Sequence, residues 1–211
     1  MNSMNMMNDW IHIVLSPYYH NSYFHTILEL TAVTFTIFSV FFAQKNNIWV
    51  YPIGIVSTII YSYLTFLTSL YGDFMINVYY TLMSFYGWYT WMYKKKKNKK
   101  IPITFCNQKD YFNTFILFLL TCIFSIMIYY FYGKLQYHYD WMDVLTTGIY
   151  FSGMYQMSIK KVENWIFWMV GNSISVPIYF FKGFFMTGIL FMILVLLAIF
   201  GFFIWKKKAI N

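Results

Sequence analysis

The stretch LYGDFMINVYYTLMSFYGWYTWMYKKKK, residues 70–97, decides the reading of the whole chain. It holds about 20 predominantly apolar residues, the length needed to cross a bilayer as a helix, and it stops at a run of lysines. Asp73, Asn77, Tyr80, Ser84, Gly87 and Trp91 recur within it at steps of three and four, so they share one helical face. A membrane helix with one polar, aromatic stripe is the first expectation. Polar groups at membrane depth face a bundle interior or a water-filled cavity, because hydrocarbon offers them no partner.

Composition extends this reading to all 211 residues. Hydrophobic residues make up 60%, aromatics 25% and charged residues 10%, against roughly 25% charged in a soluble domain. A water-soluble fold would have too little polar material for its surface. Seven apolar runs follow, from Phe24 to Phe42, Ile48 to Leu67, Phe74 to Met92, Tyr111 to Tyr132, Trp141 to Met157, Trp165 to Phe180 and Phe184 to Ile204. Residues 1–23 hold only the short run Ile11 to Leu15 and no lysine, which reads as an extracytoplasmic interfacial segment rather than a cleavable signal.

The net charge of +8 comes from 15 lysines, with no arginine, against 7 acids. Seven spans assign every loop to a side. Lys134 and Lys182 fall on the side of the N-terminus, and the remaining 13 lysines fall opposite. The positive-inside rule puts that second side in the cytoplasm, with the N-terminus out and the C-terminus in. Nucleic acid is thereby excluded as a partner; the lysines orient the chain in lipid. His12, His20, His25 and His138 then fall outside or in the outer interface, where they read as solvated surface rather than a relay.

An internal echo organises the chain. Lys45, Trp49, Gly72, Gly87, Trp91 and Lys94 rhyme with Lys160, Trp165, Gly183, Gly201, Trp205 and Lys206, and GWYTWMYKKK and GFFIWKKK close the two blocks. The expected architecture is all-α, seven transmembrane helices as two parallel three-helix bundles joined by a linker helix. The segments are 1–23, a first repeat 24–93, a basic loop 94–110, the linker 111–132, a second repeat 133–205 and a basic tail 206–211. Parallel repeats of this kind hold a substrate near the membrane midplane.

Trp165, Trp168, Asn172, Ser175 and Tyr179 give the sixth span a second polar stripe, and Asp143, Thr147 and Tyr150 add to the fifth. Interfacial belts and helix–helix contacts explain single aromatic and small polar residues, whereas Asn77 and Asn172 at membrane depth seek partners. Asp73 and Asp143 read equally as helix N-terminal acids and as attractors of a cationic substrate. No P-loop, metal spacing or cysteine pair is present: Cys106 and Cys122 stand apart. No nucleophile–base pair stands at membrane depth, so an enzyme, a resident cofactor and a metal are not expected.

The segments 70–91 and WMDVLTTGIYFSGMYQMSIKKVENWIFWMVGNSISVPIYFFKG, residues 141–183, resemble the PnuC family of vitamin transporters, with its closing GWYxW and its W-x-x-W-x-x-x-N sixth span. The resemblance implies a 3+1+3 fold similar to a full-length SWEET sugar transporter, a homotrimer in the bacterial inner membrane, and facilitated uptake of nicotinamide riboside. Phosphorylation by a cytoplasmic kinase would trap the vitamin. Thiamine and riboflavin remain alternatives, and a SWEET-type sugar is a more distant one. The substrate-binding candidates are Trp49, Asp73, Asn77, Tyr80, Asp143, Thr147, Trp165, Trp168, Asn172 and Tyr179.

Overall fold

The structure, a computed structural model, describes residues 23–67, 71–96, 101–133, 135, 138–181 and 185–210. Residues 1–22, Lys97, Lys99, Lys100, Lys134 and Lys182, together with His12 and His20, lie outside the described residues. Among the described residues seven helices stand where seven spans are read: α1 Tyr23–Gln44, α2 Val50–Leu67, α3 Tyr71–Lys96, α4 Gln108–Phe131, α5 His138–Ser158, α6 Asn164–Phe181 and α7 Phe185–Ile210. By length and composition α1, α2, α4 and α7 are apolar enough to cross a membrane. The C-terminal lysines are not a separate tail, because α7 runs on through Lys206, Lys207 and Lys208, where cations complement the helix dipole.

Each of the six helices other than α4 packs on two neighbours, in the order α1, α2, α3, α5, α6, α7 and back to α1. This is a closed ring. Helix α4 stands outside it against α5 and turns Phe115, Leu119, Ile123 and Met127 outward. Its N-terminus is fixed by a capping box, in which Asn107 and Asp110 satisfy each other's backbone N–H groups. The segment before it is pinned to the α5–α6 corner. Thr104 bridges residues 160–162 through the N–H···O bonds Thr104 to Lys160 and Val162 to Thr104, at 3.2 and 3.0 Å. The Cys106 N–H meets both oxygens of Glu163 at 3.0 Å, and Lys161 pairs with Asp110 at 2.7 Å. Burial and the Glu163 charge push the Cys106 thiol up to about 12.

The two tight corners of the ring are built alike. After α1, Asn46 takes φ 56°, with Asn46 N–H donating to Ala43 and Asn47 N–H to Phe42; after α5, Lys160 takes φ 58°, with bonds from Lys160 to Met157 and Lys161 to Gln156. Both are Schellman closures, which satisfy the last carbonyls of a helix through one left-handed residue. Val50 and Tyr51 then bond back to Asn47 and Ile48, as Asn164 and Trp165 bond back to Lys161 and Val162. Positions 46 and 160 differ by 114, and so do 51 and 165.

The same offset recurs in the packing. The Tyr51 ring lies on Gly87 and meets Trp91 edge to face at 5.0 Å; the Trp165 ring lies on Gly201 and meets Trp205 edge to face at 5.6 Å. A Cβ on Gly87 would stand 2.4 Å from the first ring and one on Gly201 2.6 Å from the second, so only glycine permits the approach. Each indole then reaches across the ring of helices: Trp91 Nε1 donates to Ser158 O of α5 at 3.1 Å, and Trp205 Nε1 to Ala43 O of α1 at 3.0 Å. These four aromatic residues are buried and form the heart of the core. The repeat register therefore pairs Trp165 with Tyr51, not with Trp49 as the sequence echo suggests. Trp49 is 58% exposed.

These contacts gather the C-terminal ends of α1, α3, α5 and α7 at one end of the ring, and Lys208 Nζ donating to Lys45 O at 3.3 Å seals it further. Lys45, Lys160, Lys161 and Lys208 all sit there. Lys160 rests 3.9 Å over the Trp91 ring, and burial, with Lys208 nearby, pushes its amine down to about 8. Asp73 and Tyr179 mark the opposite, acidic end.

Candidate functional site

A cavity of about 550 Å³ occupies the centre of the ring. Its lining comes from all six ring helices and from no residue of α4. At the acidic end it reaches His25, Glu29, Leu67 and Asp73, close to the helix ends; at the lysine end it stops on Ala43, Tyr51, Met157 and Trp165, all buried in the core.

Seven of the ten sequence candidates line it: Asp73, Asn77 and Tyr80 from α3, and Trp165, Trp168, Asn172 and Tyr179 from α6. The three- and four-residue spacing that placed each set on one face aims both faces inward. The other three stand elsewhere. Trp49 is exposed at the approach to α2, Asp143 does not reach the cavity, and Thr147 is buried with its hydroxyl on the Asp143 carbonyl at 2.7 Å. Helix α5 turns Tyr150, Met154 and Met157 to the cavity instead.

Three rings converge midway. Tyr80 and Trp168 meet edge to face at 5.8 Å, Tyr150 and Trp168 lie tilted at 5.9 Å, and Tyr80 and Tyr150 meet edge to face at 6.4 Å. Phe191 of α7 continues the wall, 4.9 Å from Tyr179. Polar groups are ordered around these rings. The Tyr150 hydroxyl donates to Asn172 Oδ1 at 3.1 Å and bonds Ser175 at 2.7 Å; Asn77 Nδ2 donates to the Asp73 carbonyl at 2.8 Å; the Tyr179 hydroxyl donates to Asp73 Oδ1 at 2.5 Å. Aromatic faces beside fixed amides suit a planar heteroaromatic ring with polar substituents.

The first two helices contribute residues that periodicity did not single out. Glu29 adds a second carboxylate to Asp73, and His25 lines the cavity rather than the solvated surface. Thr36, Ser57 and Thr58 line it too, while also joining helices: Thr36 meets Ser57 at 2.6 Å and Thr58 meets Thr81 at 2.7 Å. Among the lining residues there are two acids and neither lysine nor arginine. Among the described residues no cluster of His, Cys, Asp or Glu could hold a metal ion.

A ring of helices with a lipid-like exterior around an aromatic, amide-bearing cavity is the build of a membrane carrier for a small polar solute. The sequence profile of the nicotinamide mononucleotide transporter family matches residues 26–207, and the chain belongs to that family. It is 22% identical over 192 residues to the nicotinamide riboside transporters PnuC of Escherichia coli (strain K12) and Shigella flexneri, covering 79% of this chain and 80% of each relative. The crystal structure of the vitamin B3 transporter PnuC shares its fold, with a TM-score of 0.68 at 16% identity, covering 99% of this chain and 92% of that one. These relatives are transporters and not enzymes.

Proposed function

We propose that this protein carries nicotinamide riboside across the bacterial inner membrane down its gradient. The observation that carries the reading is the cavity: aromatic faces, two amides, two carboxylates, and neither lysine nor arginine, with His25 at its acidic end. Nicotinamide riboside presents a cationic aromatic ring, and a cation on a ring face gains on the order of 0.5–2 kcal/mol. Glu29 and Asp73 favour the same charge. A phosphate dianion finds no lysine or arginine among the lining residues and meets two carboxylates, so the nucleoside fits this site better than the nucleotide for which the family is described. Thiamine, also a cation with a heteroaromatic ring, is the second reading that the two carboxylates support.

All seven helices cross the bilayer in this reading, with the lysine end cytoplasmic and the N-terminus outside. The frame is 3+1+3: α1–α3 and α5–α7 rock against each other along the α1–α7 and α3–α5 seams, with α4 as the linker. Access alternates when the acidic end closes and the floor of Tyr51 and Trp165 parts. Cytoplasmic phosphorylation by a kinase would then trap the vitamin, and trimer formation would leave the cavity within each protomer.

Calorimetric titration of the purified protein with nicotinamide riboside, its nucleotide, thiamine, riboflavin and glucose tests the substrate. Nicotinamide riboside is expected to bind at micromolar levels or tighter and the nucleotide not at all; silence toward the riboside overturns the reading. Trp168→Ala and Asn172→Ala should each abolish uptake at unchanged membrane abundance. A crosslink across the α3–α5 seam should stop uptake while leaving binding intact, and full uptake by the crosslinked protein would refute the rocking motion.

A further inference from the structure

The lysine end of the ring holds charge that nothing nearby neutralises. Among the described residues Glu29, Asp73, Asp140 and Asp143 stand in the first two turns of α1, α3 and α5, at the opposite end. The two acids that do reach the lysine end are spent: Asp110 pairs with Lys161 at 2.7 Å, and Glu163 accepts from the Cys106 N–H and from the Tyr111 hydroxyl at 3.2 Å. Among the described residues no carboxylate is left for Lys160 or Lys208.

Lys160 breaks two preferences at once. It is 9% exposed, whereas lysine is almost never buried unless paired. Its amine lies 3.9 Å over the Trp91 ring, and among the described residues no hydrogen-bond acceptor meets it. Its backbone is left-handed, at φ 58°, which strains a side chain of this kind; the matching corner has Asn46 at φ 56°, which suits it. A solvated lysine would complement the helix ends equally well, so a strained and buried one has another cause. Local rules are broken in this way at functional positions. Lys208 brings a second ammonium group from α7. Its Nζ spends one of three donors on Lys45 O at 3.3 Å, and it stands close enough to Lys160 to help push that amine down. Both lysines rise from one aromatic layer: Lys208 follows Trp205 by three residues, and Lys160 follows Ser158, the acceptor of Trp91 Nε1, by two.

We propose that Lys160 and Lys208 hold a phosphate dianion, inorganic phosphate or a phosphomonoester, at the lysine end of the ring. The inference is independent of which solute the central cavity carries. Two ammonium groups match a phosphate near neutral pH, which carries about −1.5 to −2, and lysine serves phosphate as a point charge. A carboxylate or a lipid phosphodiester, with one charge, would leave one ammonium group unneutralised. Occupation also braces the ring. Lys160 reaches from the α5–α6 corner to Trp91 of α3, and Lys208 reaches from α7 to Lys45 after α1. Each lysine thus crosses one seam, and an anion shared by the two holds both in place.

Thermal unfolding of the full-length protein in detergent at pH 7 tests the site, with sodium phosphate set against sodium chloride of equal ionic strength. The wild type should gain about 2 °C or more of Tm at saturating phosphate. Lys160→Asn should start from a higher Tm, because Asn suits the corner, and should lose the gain, so its loss cannot be blamed on a damaged fold. Lys208→Gln should lose the gain too. Lys206→Gln removes a charge from the same helix end, where its amine lies 5.9 Å over Phe202, and should keep the gain. Equal response of the wild type to both salts overturns the inference. So does a gain that persists in Lys160→Asn and Lys208→Gln, which is general salting-out, or one lost equally in Lys206→Gln, which is diffuse surface charge. Phosphatidylglycerol added to the micelles is the last arm: a Lys160-dependent gain with that lipid and none with phosphate overturns the dianion in favour of a headgroup.

Discussion

Helices α1–α3 and α5–α7 share a frame and differ in what they show the cavity. Their corners, their ring-on-glycine contacts and their two indole donors recur at the offset of 114 residues, the indole acceptors Ala43 and Ser158 standing one residue out of that register. Along α3 the lining residues are Asp73, Ile76, Asn77, Tyr80 and Ser84; at the same offset along α7 they are Thr187, Leu190, Phe191, Leu194 and Ala198. One wall is polar and its counterpart apolar. The middle helices reverse this in part: Gly54, Thr58 and Thr65 of α2 face Trp168, Asn172 and Tyr179 of α6 in the matching positions. In the proposed function a repeated frame lets two halves move against each other, whereas the proposed ligand, cationic and aromatic at one end and hydroxylated at the other, calls for walls that are not repeated.

The equivalence of the frames is open to direct attack. Gly87→Ala and Gly201→Ala each drive a methyl group into a buried ring and should destabilise the protein by about 1–3 kcal/mol, the usual range for overpacking. Thermal unfolding in detergent should show similar losses for both; a large loss for one and none for the other would mean that the halves are not mechanically equivalent. Trp91→Phe and Trp205→Phe remove the indole N–H but keep a ring, and each should lose about 1 kcal/mol, the net worth of one hydrogen bond plus an orphaned carbonyl. A smaller effect sharpens the one place where the corners differ. Asn46 suits a left-handed conformation and Lys160 does not, so Lys160→Asn should stabilise by about 0.5–1 kcal/mol, read as a rise in Tm. It should also remove a pH dependence. The folded-state amine titrates near 8, below its ordinary 10.5, so between those values the unfolded chain binds more protons and stability rises with pH. The wild type should gain Tm across that window relative to Lys160→Asn.

Much of this was legible in the residues. Helix positions followed from the length of apolar runs, and the stripes on α3 and α6 predicted which faces turn inward, because a polar group in a lipid-solvated helix has nowhere else to go. Legibility failed where that logic loses contrast. Helix α5 is buried on most sides, so its periodicity could not tell Tyr150, which reaches the cavity, from Thr147, which turns its hydroxyl onto its own backbone. On α1 and α2 many of the inward residues are threonines and serines that a helix also satisfies through its own carbonyls, as Thr36 does with Ala32 at 2.9 Å. His25 was misread for a related reason, since nothing local separates a histidine at a helix end from one at the mouth of a cavity.

The sequence by itself determined the solvent, the seven helices and the segregation of lysines, since each depends on composition summed along the chain and not on which parts meet. Tertiary structure decided the closed ring that excludes α4, the register that pairs Tyr51 with Trp165, and the meeting of Tyr150 with Asn172. Those depend on contacts between positions more than 20 residues apart: the Tyr150 hydroxyl meets Asn172 of a neighbouring helix, and Trp205 reaches Ala43, 162 residues away. Such contacts exist only once distant helices have met, so no count or spacing along the chain contains them.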